Sequence, residues 1–564
     1  MALKNKINNL KECFDNNALY NSYYNDKIDE NIIYLESRNG HDFTGNIFKI
    51  TEELSSDIYG NFKIYVYATS HVKSKIELYK KNYKLNITKI ITDEDEAVKT
   101  LHKAKYIFTD SGIRSKYIKK EGQIFINMWH GTPLKFMGFD NPTEQPYVGI
   151  IQRTFLFSDY MLFPNEYMMN IMTHSYMIDK IYKGKFLLEG YPRNSVFLDD
   201  NSNIKNKLDF KDKEIFVYMP TFKGIITDRK DEKQKNDVEE FLYELNLKLN
   251  DNQILFVKFH PYNQSKIDFS KFNHIMAFPE GFETYDVLSI ADVLITDYSS
   301  VFFDFANTRR KIIIFNYDEK EYFKDRGLYF PLEDLPFPKV QNINDLINDL
   351  NSPKNYDDTK FVNEFCKYDS IDSVKRICET VINNKNSCEY EIIKNSNKNI
   401  LIYVGSMENN QVINQLTQLL EKIDKHVNLF ISFKPWDKNI KENYLNLFNY
   451  FPKNVEFLPL SYNLAPTFRE KIDLNNFIKN DIPLKENLIK LFNRSYKRQY
   501  GDFKFDLIID FLSNDLEQSL IFACSNLNNV IVKDEETNPK VFNQYDKIYD
   551  ISKINIEDII TGDI

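Results

Sequence analysis

Short apolar runs bounded by polar or turn residues recur along the chain and alternate with longer segments of helical spacing. Asn31–Leu35 (NIIYL), Phe62–Tyr67 (FKIYVY), Tyr106–Thr109 (YIFT), Gln123–Met128 (QIFINM), Tyr160–Phe163 (YMLF) and Lys185–Leu188 (KFLL) have the length and character of strands buried on both faces. Between them, segments such as Asn165–Tyr176 space apolar residues as a helix does. This alternation predicts a doubly wound α/β sheet. The pattern restarts after Pro192–Asn194 with Ile215–Met219, Ile254–Lys258, His274–Ala277, Val293–Thr296 and Lys311–Phe315, with helices near Asp237–Leu249 and Ile371–Ile382. A third α/β pattern follows at Asn399–Val404, Val427–Ile431, Val455–Leu458, Leu507–Ile509 and Asn529–Val532. Residues 384–398 are polar and predict a linker, and residues 1–30 a helical or loose lead-in.

The expected organisation is therefore a lead-in (1–30), two Rossmann-like units (31–200 and 201–385) and a further α/β region (395–564). Neither of the first two units is large enough to enclose a sizeable substrate, which predicts a cleft between them. The length of 564 residues agrees with about three or four domains. With 42% hydrophobic and 27% charged residues the composition is that of a soluble globular protein, and only 16 Gly argue against glycine-rich phosphate loops. A net charge of −9 offers no overall attraction to nucleic acid. The five Cys form no CxxC pair, so neither a disulfide framework nor a zinc knuckle is expected, and a reducing compartment fits. No signal-peptide core opens the chain, and no window approaches the 18 apolar residues of a membrane span. Peripheral membrane attachment stays open.

Candidate chemistry collects just past strand ends, where ligands bind in parallel sheets. His130, in NMWHGTPLK, follows the strand ending near Met128, and His260 follows the run ending at Lys258. An imidazole has the near-neutral pKa that a general base needs, whereas a lone histidine often only satisfies backbone groups. In VLITDYSSVFFDFA (Val293–Ala306) a strand runs into Asp297, and Ser299 and Ser300 are placed to cap a helix whose N-terminus suits a phosphate. Arg193 and Thr221 also sit just past strands, and Lys135, Arg309 and Arg310 are further cations nearby. Asp93-Glu94-Asp95 has the DxD form of a metal site but is better explained as the acidic first turn of a helix running to Ala104. GxxxxGK[ST], GxGxxG and HExxH are absent.

As an ordered set, WHGTPLK (Trp129–Lys135), GYPRN (Gly190–Asn194), MPTF (Met219–Phe222), KFHPY (Lys258–Tyr262), ADVLITDYSSVFFDF (Ala291–Phe305) and NYDEKEYFKDRGLYF (Asn316–Phe330) resemble the CDP-glycerol glycerophosphotransferase family, the teichoic-acid primases and polymerases of bacterial envelopes. The resemblance covers roughly residues 31–385. It implies a GT-B-like pair of Rossmann-type domains, a CDP-glycerol or CDP-ribitol donor, and a lipid-linked or polymeric polyol-phosphate or glycan acceptor; with no metal motif in the sequence, transfer without a metal or further cofactor is the expectation. It also implies peripheral attachment to the cytoplasmic face of the membrane, and leaves room for a homo-oligomer or an envelope-assembly complex. By motif, His130 and His260 would be catalytic. Arg193, Thr221, Glu283, Asp297, Ser299, Ser300 and Asp304 would hold the donor's phosphates and nucleotide, with packing or capping the other role open to Asp304.

The third region resembles the N-terminal half of a GT-B glycosyltransferase through NILIYVGSMENNQ and YKRQYGDFKFDLIIDF, but Gln411 stands where a glycine is expected. It is read as a piece of a longer enzyme or as a docking module, with no activity assigned. Two other readings compete for the whole chain: a GT-B glycosyltransferase using a nucleotide sugar, and an inactive scaffold.

Overall fold

The computed structural model describes residues 2–220, 231–259, 267–317, 319, 327–393, 397–407, 410–420, 427–435, 448, 451–452, 454–461, 463–480, 482–512, 514–533, 537–550 and 559. Its strands form three sheets. The first holds β1 (Asp29–Glu36), β2 (Lys63–Tyr67), β3 (Lys89–Ile91), β4 (Ala104–Thr109), β5 (Ile124–Asn127), β6 (Tyr160–Phe163) and β7 (Lys185–Leu188). The second holds β8 (Glu214–Met219), β9 (Gln253–Val257), β10 (Ile275–Ala277), β11 (Val293–Thr296), β12 (Lys311–Phe315) and β13 (Lys339–Val340). After β14 (Glu389–Glu391), the third holds β15 (Lys398–Ser406), β16 (Val427–Lys434), β17 (Val455–Pro459), β18 (Leu507–Phe511), β19 (Asn529–Lys533) and β20 (Lys547–Asp550).

In each sheet the spatial order runs third, second, first, fourth, fifth, sixth, and all these strands pair in parallel: β3-β2-β1-β4-β5-β6-β7, β10-β9-β8-β11-β12-β13 and β17-β16-β15-β18-β19-β20. The connection reverses direction between β1 and β4, β8 and β11, and β15 and β18, which opens a crevice beyond the strand ends at each place. Helices cover both faces, so the central strands are apolar throughout. Ile312, Ile313 and Ile314 of β12 are completely buried, each contributing about 1.5–3 kcal/mol by leaving water.

The polar stretch 384–398 is more than a linker. Helix Ser373–Val381 sends Val374, Ile377, Cys378 and Val381 into the core that also holds Ile33 and Phe48, and β14 then pairs antiparallel with β7, Glu389 opposite Leu188. The chain thus crosses back onto the first sheet before entering the third, and the expected boundary at 385 falls inside this return. That core continues without a break into Ile400, Ile402, Leu429 and Phe457 of the third sheet. The lead-in is a long helix, Ala2–Tyr24, with Phe14 edge-on to Phe468 at 5.7 Å and the Asn17 amide donating to Pro466 O. Among the described residues no helix is long and apolar enough to cross a membrane.

Candidate active site between the first two sheets

Beyond the β1–β4 crossing point, the buried Asp110 carboxylate accepts hydrogen bonds from Ser37 Oγ (2.7 Å) and Arg38 N (2.8 Å). Its carbonyl oxygen lies 2.7 Å from His130 Nδ1. A carbonyl can only accept, so Nδ1 carries the proton and Nε2 keeps its lone pair. No partner of Nε2 occurs among the described residues. The ring is held from its other face by Trp129, stacked at 4.4 Å and 23°. Trp129 has φ 48°, a left-handed backbone that costs a bulky residue about 1–3 kcal/mol; Asn127 Oδ1 secures it by accepting from Trp129 N.

Gly131 is where the two lobes meet. A Cβ there would lie 2.7 Å from Ser300 Oγ and 3.8 Å from Arg193 Nη2, so a side chain at this position would displace the Ser300 hydroxyl. Arg193, from the 3-10 turn Pro192–Leu198 after β7, donates through Nη1 to His130 O (3.0 Å) and through Nη2 to Asp304 Oδ2 (2.8 Å). Tyr285 OH donates to the same Asp304 oxygen at 2.9 Å. Arg193 and Asp304 are both buried, and burial is the main influence raising the Asp304 carboxyl, against the pull of the guanidinium.

Two clasps flank this strut. On one side Tyr79 OH donates to Phe282 O, Asn82 Nδ2 to Gly281 O, and Tyr83 OH to Asp286 Oδ2. Glu283 completes that clasp: Oε1 accepts from Thr44 Oγ1 and Gly45 N, and Oε2 from Tyr285 N, capping helix Thr284–Ser289. On the other side Phe136 N donates to Gly327 O and Tyr329 N to Leu134 O, both at 3.0 Å.

Arg38, Arg193 and Lys258 bring positive charge to the space between, beside the carboxylates of Asp42 and Glu283. Burial, then Arg38 and Arg193, push the His130 imidazole down to about 3, with the Asp110 carbonyl opposing. Lys258, just past β9, donates to Thr284 Oγ1. Burial and Lys75 push its ammonium down to about 8, against the pull of Asp42 and Glu283.

The predicted residues therefore divide. His130, Ser299 and Ser300 remain half-exposed at the gap. Arg193, Glu283 and Asp304 are buried and bonded to partners within the protein, while Arg193 Nε has no hydrogen-bond partner among the described residues. Asp297 is buried beneath the gap, its Oδ1 accepting from Tyr298 N at 2.6 Å. Ser300 precedes a helix of only five residues, Val301–Phe305, and makes no side-chain capping bond, so the expected capped helix is a single short turn. Thr221 and His260 lie outside the described residues. Arg309 pairs with Asp358, and Arg310 donates to Ser289 O and Ala291 O, which makes both struts of the second lobe. Asp93 caps helix Glu94–Lys103 through Glu96 N, in keeping with an acidic helix turn. Sequence reasoning passed over Arg38, Asp110 and Lys258 as individual site residues, although each follows a strand end as His130 does.

The sequence profile of the CDP-glycerol:poly(glycerophosphate) glycerophosphotransferase family matches residues 18–383. This chain belongs to that family. Among its relatives, the teichoic acid poly(glycerol phosphate) polymerase of Bacillus spizizenii is 31% identical over 305 residues, covering 50% of this chain and 75% of that protein. The teichoic acid glycerol-phosphate transferase of Staphylococcus aureus is 26% identical over 386 residues, 62% of this chain and 93% of that one. A solved structure of the wall teichoic acid polymerase TagF superposes with a TM-score of 0.55 at 23% identity, over 68% of this chain and 95% of that one. The glycerophosphotransferase family match ends at 383, so the third sheet lies beyond it.

Proposed function

We propose that this chain transfers a glycerol-phosphate or ribitol-phosphate unit from a CDP-polyol donor to a hydroxyl of a growing teichoic-acid or capsule-like polymer, releasing CMP. The observation that carries the reading is the His130 imidazole, fixed as its Nδ1–H tautomer, with Nε2 open at the point where Gly131 and Ser300 bring the lobes together. In this reading the first two sheets are a GT-B-like pair of Rossmann-type domains, with the acceptor on the first and the donor on the second.

The acceptor hydroxyl gives its proton to His130 Nε2 as its oxygen bonds to the donor's β-phosphorus. The bond from that phosphorus to the bridging oxygen breaks, and CMP departs with the electron pair. Such transfer depends mainly on positioning and charge stabilisation. Arg38 and Lys258 supply positive charge, and Ser299 and Ser300 supply hydroxyl donors. Arg193 and Asp304 keep the lobes in register. Thr221 and His260 keep their proposed parts as donor ligand and second catalytic group, on the strength of their motifs. No cofactor or metal enters this scheme. The enzyme would work peripherally on the cytoplasmic membrane face, where a lipid-linked acceptor presents its hydroxyl.

The test is incubation with CDP-glycerol, CDP-ribitol and nucleotide sugars in turn, together with a polyol-phosphate primer. Release of CMP with one CDP-polyol is expected. Release of only a nucleoside diphosphate from a nucleotide sugar would replace this reading with that of a glycosyltransferase.

A further inference from the structure

We propose that the third α/β region, residues 397–550, is a brace that positions the His130 imidazole by holding helix Gly149–Phe157 against Trp129. The inference rests on the catalytic reading of His130 given above.

The contacts run unbroken from the third sheet to the ring. Helix Gly149–Phe157 lies against the edge strand β17. The buried Gln152 amide nitrogen donates both to Phe457 O of that strand (2.8 Å) and to Tyr176 O of the first lobe (2.9 Å). Ser461 Oγ donates to Gly149 O at 2.8 Å, and Arg153 Nε to Arg498 O at 2.7 Å. One turn on, Phe155 meets Trp129 at 5.6 Å and Tyr176 at 5.2 Å, and Tyr176 meets Trp129 at 6.3 Å. Trp129 in turn stacks on His130. The loop leaving His130 is held from the same side: Phe139 packs on Phe448 (5.4 Å) and Phe457 (5.6 Å).

These contacts matter because the Trp129 conformation that places His130 is not one the local backbone prefers. Trp129 sits in the left-handed region, and such a conformation persists only where its surroundings over-determine it. Asn127 fixes its backbone, but the indole plane is set by Phe155 and Tyr176, and a shared Gln152 amide ties both to β17. A flexibly tethered docking module would share no core with its neighbour, whereas here one core runs through both sheets. Trp129 is thus a positioning residue, and the third region is what holds its cradle.

Gly149 provides a selective wedge. A side chain there would run into the Pro459 carbonyl and crowd Ser461 Oγ, while alanine favours the helix itself. In the full chain, Gly149→Ala should lower kcat for CMP release about tenfold and leave KM for the CDP-polyol within about twofold. Histidine-labelled nitrogen NMR at pH 7.5 should show wild-type His130 as one Nδ1–H tautomer and the variant as a mixture. Gln152→Met, which removes the shared donors at similar volume, should act in the same direction and covers the case in which Gly149→Ala does not fold. A folded variant with unchanged tautomer and unchanged kcat would overturn the brace. A shifted tautomer with unchanged kcat would support the brace and instead overturn His130 as the base.

Discussion

The crevice of the third sheet and the paired crevices of the first two arise from the same strand order, yet they are equipped in opposite ways. At the β15–β18 crossing, Tyr403 OH donates to Asp515 Oδ2 (2.9 Å), Lys434 Nζ lies 2.5 Å from the same oxygen, and Asp515 caps helix Leu516–Ala523. Beside it the buried Asp510 accepts from Tyr545 OH at 2.7 Å. Among the described residues these groups bond to one another, except that Asp510 Oδ1 is buried with no hydrogen-bond partner. At the β1–β4 crossing the Asp110 carboxylate is likewise engaged, but its carbonyl orients a histidine whose second nitrogen faces the gap. The fold supplies a crevice in each case, and the side chains decide whether a ligand can use it.

The sharpest way to break this contrast is to remove the open imidazole. His130→Ala should lower kcat for CMP release by about 10²–10⁴-fold with folding intact, the range expected for loss of a general base. Asp510→Asn in the third crevice should leave turnover within twofold. Next in size is the strut: Asp304→Ala strands the buried Arg193 guanidinium and should cost about 3–5 kcal/mol, read from the denaturant midpoint of the full chain.

Proton linkage separates the two crevices further. Burial raises Asp510 to about 7 from 3.8, so the native state keeps a proton that the unfolded chain releases. Its stabilising contribution is therefore full below pH 4 and fades as pH rises through 7, by on the order of 1 kcal/mol per pH unit. Asp510→Asn should remove that slope from a plot of denaturation midpoint against pH. In the cleft, Lys258 loses its charge above about pH 8, so KM for the donor should rise about tenfold per pH unit beyond it, and Lys258→Arg should flatten the rise. His130 is held down to about 3, so the free enzyme keeps its neutral base through mildly acidic pH and kcat/KM should show no loss near 6.5 from this residue. A diphosphate beside Arg38 would offset the guanidinium charge and raise the imidazole in the complex. The smallest expected effect is that of a chelator: turnover in excess EDTA should match turnover without it.

Most strands were legible because buried parallel strands are continuous apolar runs. The ones the pattern missed, β3, β13, β14 and β20, are all at sheet edges, where strands are short and partly solvated. Glu389–Glu391 is acidic and exposed, and nothing in its composition announces a strand. The strand-end rule likewise found His130 and the two serines. It could not tell that Arg193, Glu283 and Asp304 would satisfy partners within the protein, because those partners lie on elements distant in the chain: Arg193 and Asp304 are 111 residues apart, and Glu283 and Thr44 are 239 apart.

The sequence alone determined the α/β alternation, the motif series and the placement of His130 and Ser300 just past strand ends, since each depends on neighbours a few residues away. Only the tertiary structure decided which polar groups stay open, which way the imidazole proton points, and that residues 389–391 return to the first sheet while the third sheet backs the His130 loop. Those outcomes turn on contacts between separate elements, 20 residues apart for Asp110 and His130 and 305 for Gln152 and Phe457, where burial leaves each donor and acceptor dependent on whatever partner the packed fold brings to it.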